Sequence, residues 1–172
     1  MTDSNERIDD AVSSPTQQAR RGVYLIPNLL TTSALFAGFY AIISSVNGEF
    51  SKACIAIFVA QLLDGADGRV ARMTHTQSEF GAQYDSMSDI IAFGLAPAIL
   101  AFQWSLTGLD KAGWVAAFIF VAGAALRLAR FNVQIGKVDK KYFVGLASPA
   151  GAAVIWATIW SFEDFGISGE SV

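Results

Sequence analysis

A single cysteine, Cys54, means that no disulfide can form within the chain. It sits in an apolar run and reads as a small buried hydrophobe. Charge is scarce: only 16% of the 172 residues are Asp, Glu, Lys or Arg, and the net charge is −3. The basic residues are dispersed without forming a stripe, which sets nucleic-acid binding aside. The amino terminus lacks the apolar core of a cleaved signal peptide, because polar and charged residues fill its place. The lone histidine, His75, lies in a polar stretch and reads as a solvated side chain. What the chain has in quantity is apolar: it is 53% hydrophobic with a mean hydropathy of +0.42, the balance of a membrane protein.

Residues 1–21 are rich in Ser, Asp, Gln and Thr with no apolar period, and read as a polar cytoplasmic tail. Gly22–Gly48 carries no charge and exceeds the roughly 20 residues needed to cross a bilayer. Ala53–Leu63 is apolar but short, and spans only if its helix continues through Asp64 and Asp67. Ile90–Leu109 is charge-free again. Asp110 and Lys111, with Gly108 and Gly113, mark a turn, after which Ala112–Leu126 runs on into Arg127-Leu128-Ala129-Arg130. Tyr142–Phe162 gives a fifth span. The expected fold is all-α, a polytopic transmembrane helix bundle of about five spans over residues 22–162. Residues 163–172 are read as an outer-side tail or a truncated loop.

The polar chemistry is concentrated in one stretch. Asp64-Gly65-Ala66-Asp67-Gly68-Arg69-Val70-Ala71-Arg72 is followed, eight residues later, by Gly81-Ala82-Gln83-Tyr84-Asp85-Ser86-Met87-Ser88-Asp89. On a helix, Asp64 and Asp67 stand about 60° apart around the axis and Asp85 and Asp89 about 40° apart, so each pair shares a face. Thr74, His75, Thr76, Gln77 and Ser78 suit a short polar turn joining two antiparallel helices. All four carboxylates then converge. Their mutual repulsion calls for a cation, and an oxygen-only donor set suits one or two hard divalent ions, Mg²⁺ or Mn²⁺.

Orientation follows from the basic residues. With the amino terminus inside, Arg7, Arg20, Arg21, Arg69, Arg72, Arg127, Arg130, Lys137, Lys140 and Lys141 lie at the inner side and only Lys52 and Lys111 outside. The aspartates therefore face the cytoplasm. Lys137, Lys140 and Lys141 read as anchors that attract anionic lipid.

The order D-x-x-D-G-x-x-A-R, eight residues, G-x-x-x-D-x-x-x-D is met by Asp64, Asp67, Gly68, Ala71, Arg72, Gly81, Asp85 and Asp89. It resembles the signature of the CDP-alcohol phosphotransferase family, integral membrane enzymes that make phospholipids. Ile26-Pro27-Asn28-Leu29-Leu30-Thr31, Ala125-Leu126-Arg127-Leu128-Ala129-Arg130-Phe131-Asn132 and Phe143-Val144-Gly145-Leu146-Ala147-Ser148-Pro149-Ala150 look like the phosphatidylserine synthase branch, CDP-diacylglycerol–serine O-phosphatidyltransferase. Relatives of that branch usually carry proline where Ala147 stands. The family commonly has six or more spans, so the five seen here raise the expectation of a fragment lacking later helices.

The resemblance implies attack by the hydroxyl of L-serine on the diacylglycerol-bearing phosphorus of CDP-diacylglycerol, giving phosphatidylserine and CMP. By it, Asp64, Asp67 and Asp85 are metal ligands for what would be two divalent ions, and Asp89 is the general base that also touches a metal. Gly68, Ala71 and Gly81 form a small-residue wall around the cytidine, and Arg72 contacts the pyrophosphate. A homodimer in the bacterial inner membrane, among membrane lipids, with the site toward the cytoplasm, is implied as well.

Several residues keep two readings. Asn28 and Thr31 either cap the first helix or touch the nucleotide. Arg127 and Arg130 bind an anion, such as the serine carboxylate or a lipid phosphate, or anchor their helix by snorkelling. Gly65, outside the signature, serves helix packing or ligand contact. The competing functions are a sister transferase acting on glycerol 3-phosphate or inositol phosphate, a membrane prenyltransferase, whose aspartate motifs usually lie on separated helices, and a divalent-cation transporter. The transporter fits poorly, since transport sites tend to lie near the midplane.

Overall fold

The computed structural model describes residues 15–74, 78–134 and 146–169, with side chains from residue 26. His75, Lys137, Lys140, Lys141 and the side chains of Arg7, Arg20 and Arg21 lie outside the described residues. Helix α1 is Pro15–Val46, α2 Phe50–Met73, α3 Glu79–Asp89, α4 Ala96–Trp104, α5 Asp110–Gln134 and α6 Ser148–Asp164. A π-helical turn, Ile90–Leu95, joins α3 to α4, and a 3₁₀ turn, Leu106–Leu109, precedes α5. No strand occurs among the described residues, and the fold is all-α as expected.

Among the described residues, three stretches are each long and apolar enough to cross a membrane: Ile26–Val46, Glu79–Trp104 and Leu106–Val133. α2 does continue through Asp64 and Asp67, as its short apolar run required. α1 begins earlier than hydropathy suggests: the stretch from Pro15 to Arg21, read as tail, is helical. Gln17, Gln18, Ala19, Arg20 and Arg21 are good helix formers, so the change from polar to apolar marks no helix end. The turn expected around Asp110 is displaced too. The chain turns through Leu106–Leu109, and Asp110, with φ of 45°, opens α5.

The core forms where small residues let helices approach. Ala53, Cys54, Ala56, Ile57 and Ala60 of α2 are buried, as are Ala34 and Ala41 of α1. Cys54 is thus the buried hydrophobe its context suggested. The α1–α2 connection needs Gly48, whose φ of +75° lies in the left-handed region. Ala92 and Phe93 of the π turn and Ala96, Leu100 and Trp104 of α4 complete this core against Ala152 and Ile159 of α6.

Polar ties at both ends hold α6. Gln61 in α2 donates to the Pro149 carbonyl and accepts from Trp156 Nε1, each at 3.3 Å, while Trp104 Nε1 donates to Glu163 Oε1 at 2.8 Å. α5 is the outlying helix, with only 11% of its apolar window buried. Its outward Trp114, Phe118, Ile119 and Leu126 suit contact with lipid.

Candidate active site

The carboxylates meet because α2 and α3 are antiparallel neighbours joined through a short turn. Ser78, in extended conformation, N-caps α3: its Oγ accepts from the Gly81 N–H at 3.0 Å, and Glu79 sits in the first turn, where the helix dipole favours negative charge. From this start the 3.6-residue period turns Asp85 and Asp89 to the same side. Asp64, Asp67 and Asp85 each offer one oxygen, and the three oxygens lie within 4.8 Å of one another. Asp89 stands with its carboxyl group within hydrogen-bonding reach of Asp64. The convergence read from the spacing is therefore present, with Asp89 set beside the trio on its Asp64 side.

Asp67 is the most enclosed of the trio, with 5% exposure. Arg69 and Arg72 point outward, and among the described residues the one ion pair is Lys52–Glu49, on the far side of the bundle. Among the described residues, the aspartates form no ion pair with Arg69 or Arg72. Three half-buried to buried carboxylates form an all-oxygen set whose charge suits a hard divalent ion.

Neighbouring helices brace both pairs. Thr31 Oγ1 donates to Asp67 Oδ2 at 2.7 Å, and Ser88 Oγ donates to the Thr31 carbonyl at 3.3 Å. Thr32 and Tyr84 share a hydrogen bond at 2.9 Å, linking α1 to the residue before Asp85. On the other flank Ser86 and the Asn132 side-chain amide exchange hydrogen bonds at 3.1 and 3.3 Å, tying α3 to α5. Ser86, Ser88, Thr32 and Tyr84 were not singled out from the sequence. The signal for Tyr84, Ser86 and Ser88 is a set of hydroxyl residues interleaved with Asp85 and Asp89; Thr32, on α1, carries no such signal.

The other expected site residues fall into groups. Asn28 and Thr31 lie well inside α1, so the capping alternative is overturned: the helix starts at Pro15 and its end is far from both. Asn28 comes to the mouth of α3, where a Cβ on Gly81 would meet Asn28 Oδ1 at 3.6 Å and Ser78 Oγ at 3.1 Å. Gly65 and Gly68 face open space: a Cβ added at either would meet nothing within 4 Å beyond its own stretch of helix. Helix packing therefore does not explain Gly65, and Gly68 borders a free volume beside Asp67. Ala71 is half-buried on the same helix. Arg127 turns into the bundle and its Nη1 donates to buried Ser148 Oγ at 3.3 Å, whereas Arg130, one turn on, is exposed. The structure thus separates two arginines that the sequence treated alike.

Residues 24–167 match the family model described as CDP-alcohol phosphatidyltransferase. The chain is 40% identical over 133 residues to the CDP-diacylglycerol–serine O-phosphatidyltransferase of Helicobacter pylori (strain ATCC 700392 / 26695), covering 77% of this chain and 56% of that one. It is 34% identical over 176 aligned residues to the protein of the same name from Mycobacterium bovis, covering 90% and 61%. It is 39% identical over 132 residues to the archaetidylserine synthase of Methanothermobacter thermautotrophicus, covering 76% and 55%. The chain thus spans a little over half the length of these curated relatives. The family match takes in all four aspartates, the glycines between them and the flanking helices that brace them, and by that match the chain belongs to the CDP-alcohol phosphatidyltransferase family.

Proposed function

We propose that the protein transfers the phosphatidyl group of CDP-diacylglycerol to L-serine, releasing CMP. The observation that carries this reading is the meeting of Asp64, Asp67 and Asp85 oxygens within 4.8 Å, in a chain whose relatives are named as serine phosphatidyltransferases. Asp64, Asp67 and Asp85, with Asp89 at their edge, would hold Mg²⁺ or Mn²⁺, and such ions supply charge neutralisation at the pyrophosphate and alignment of attacking and leaving oxygens.

The chain's own residues do the rest. Asp89 accepts the proton of the serine hydroxyl as its oxygen bonds to the lipid-side phosphorus and the bond from that phosphorus to the CMP oxygen breaks. Gly68, Ala71 and Gly81 form a small-residue wall at the cytidine; the open space at Gly68 supports this, and at Gly81, where Ser78 Oγ and Asn28 Oδ1 stand close, the lack of a side chain leaves Asn28 at the wall. Arg72 contacts the pyrophosphate, a role supported by its exposure in the last turn of α2. Arg127 is the better candidate of the two arginines for the serine carboxylate, because a guanidinium turned into the bundle retains a fixed fork. The site opens toward the cytoplasm by the count of basic residues, in the bacterial inner membrane, and two copies form a dimer.

The test is CMP release from CDP-diacylglycerol by the purified full-length protein in detergent with Mn²⁺ or Mg²⁺, with L-serine, glycerol 3-phosphate or inositol phosphate as acceptor. Release that depends on serine is expected. Release with another acceptor alone would overturn the serine assignment, and metal-dependent stabilisation without any response to CDP-lipid would favour a transporter.

A further inference from the structure

The Ile26–Thr31 run has one member whose place in the structure goes beyond the reaction as described. Thr31 is 4% exposed and stands where α1 meets both carboxylate-bearing helices. Its hydroxyl reaches α2 at Asp67 Oδ2, 2.7 Å away, and its backbone carbonyl accepts from Ser88 of α3, the neighbour of Asp89.

A threonine or serine in a helix commonly satisfies its hydroxyl on the carbonyl four residues back. Thr32, Ser33 and Ser45 of α1 do so at 2.7, 2.8 and 2.7 Å. Thr31 has the same partner available, the Pro27 carbonyl, but at 3.1 Å. One hydroxyl carries one proton, and the carboxylate, charged and closer, takes it. The local bond that would suffice for burial is thus subordinate to a bond across helices.

We infer that Thr31 is a positioning residue for the metal centre: its hydroxyl fixes the Asp67 carboxylate in the orientation that converges with Asp64 and Asp85. The inference rests on the metal-binding reading above. Without that hydrogen bond, rotation about the last side-chain torsion of Asp67 is opposed only by packing, and such torsions are broad. The position calls for a donor, and either hydroxyl amino acid supplies one.

The test is Mn²⁺ titration of the full-length protein in detergent, in the presence of CDP, followed by electron paramagnetic resonance of the free ion. Thr31→Val keeps the shape and removes the donor; Thr31→Ala removes it with no steric demand, should the valine variant not fold; Thr31→Ser keeps it. The expected result is a Mn²⁺ Kd weakened roughly ten- to hundred-fold in the valine and alanine variants and restored toward the wild-type value in the serine variant. Without metal, the serine variant should melt close to the wild type, and the valine and alanine variants somewhat lower, since Asp67 loses its donor. A valine or alanine variant that binds Mn²⁺ as tightly as the wild type overturns the inference, and so does a serine variant as weak as valine. Wild-type protein that binds no Mn²⁺ would be a separate result, overturning the metal reading itself and the positioning role with it.

Discussion

Gly38 lies so close to Ala92 that a Cβ added to it would stand 2.7 Å from the Ala92 Cα and 2.9 Å from its Cβ. The contact presses α1 against the π turn that follows Asp89, so it sets the distance between the helix that carries Thr31 and the one that carries Asp85 and Asp89. Gly38→Val should lower stability by about 1–3 kcal/mol or more, because backbone rather than a flexible side-chain end stands in the way. The check is a lower melting temperature in detergent, and an unchanged value would mean that α1 can retreat from the π turn without cost.

Gly68 predicts the opposite pattern. A Cβ placed there would meet nothing within 4 Å, so Gly68→Ala should leave melting unchanged or raise stability by up to about 1 kcal/mol, the helix-propensity difference. If the free volume belongs to the cytidine, the same variant should raise KM for CDP-diacylglycerol, and Gly68→Leu should raise it further. A Gly68→Leu enzyme with wild-type KM would remove Gly68 from the nucleotide site.

Removal of the aspartates should divide by role. Asp64→Asn and Asp85→Asn should abolish Mn²⁺ binding, and a chelator should reversibly stop CMP release by the wild type. Asp89→Asn should cut kcat by roughly 10²–10⁴ while largely sparing CDP-lipid binding, as expected of a general base. Lost binding with turnover retained in the residual complex would contradict the base role.

The two arginines should separate as well. Arg127 donates to buried Ser148 whereas Arg130 is exposed. Arg127→Gln should raise KM for serine roughly ten- to hundred-fold, the scale of a lost hydrogen bond to a charged group. Arg130→Gln should have a smaller effect. Acceptor kinetics of both variants at saturating CDP-lipid would decide it, and equal effects would return both to the role of helix anchors.

Spacing carried much of this site. Asp64, Asp67, Asp85 and Asp89 could be set on two faces and brought together by a short turn from helical period alone, and the aspartates themselves showed that α2 must outrun its apolar run. The bracing was not legible. Whether Thr31 meets Asp67, or Ser86 meets Asn132, depends on how far one helix is rotated against its neighbour, and intrahelical period does not contain that angle. The start of α1 was hidden for a different reason: hydropathy reports the solvent around a helix, whereas Gln17–Arg21 form a helix by propensity in either solvent. The same error made Asn28 and Thr31 look like caps.

The π turn at Ile90–Leu95 has one more consequence. The Ile90 N–H bonds back to Ser86, four residues away, but the Ala96 N–H bonds back to Ile91, five away. The rod that carries the aspartates therefore holds one residue of slack in its winding. Counted as uniform α-helix, residues after the turn would lie about 100° out of phase with those before it. Wound that way, the chain could not turn Asp85 and Asp89 toward Asp64 and Asp67 while keeping Leu100 and Trp104 in the core. The slack lets one continuous helix answer to two separate alignments, one chemical and one structural.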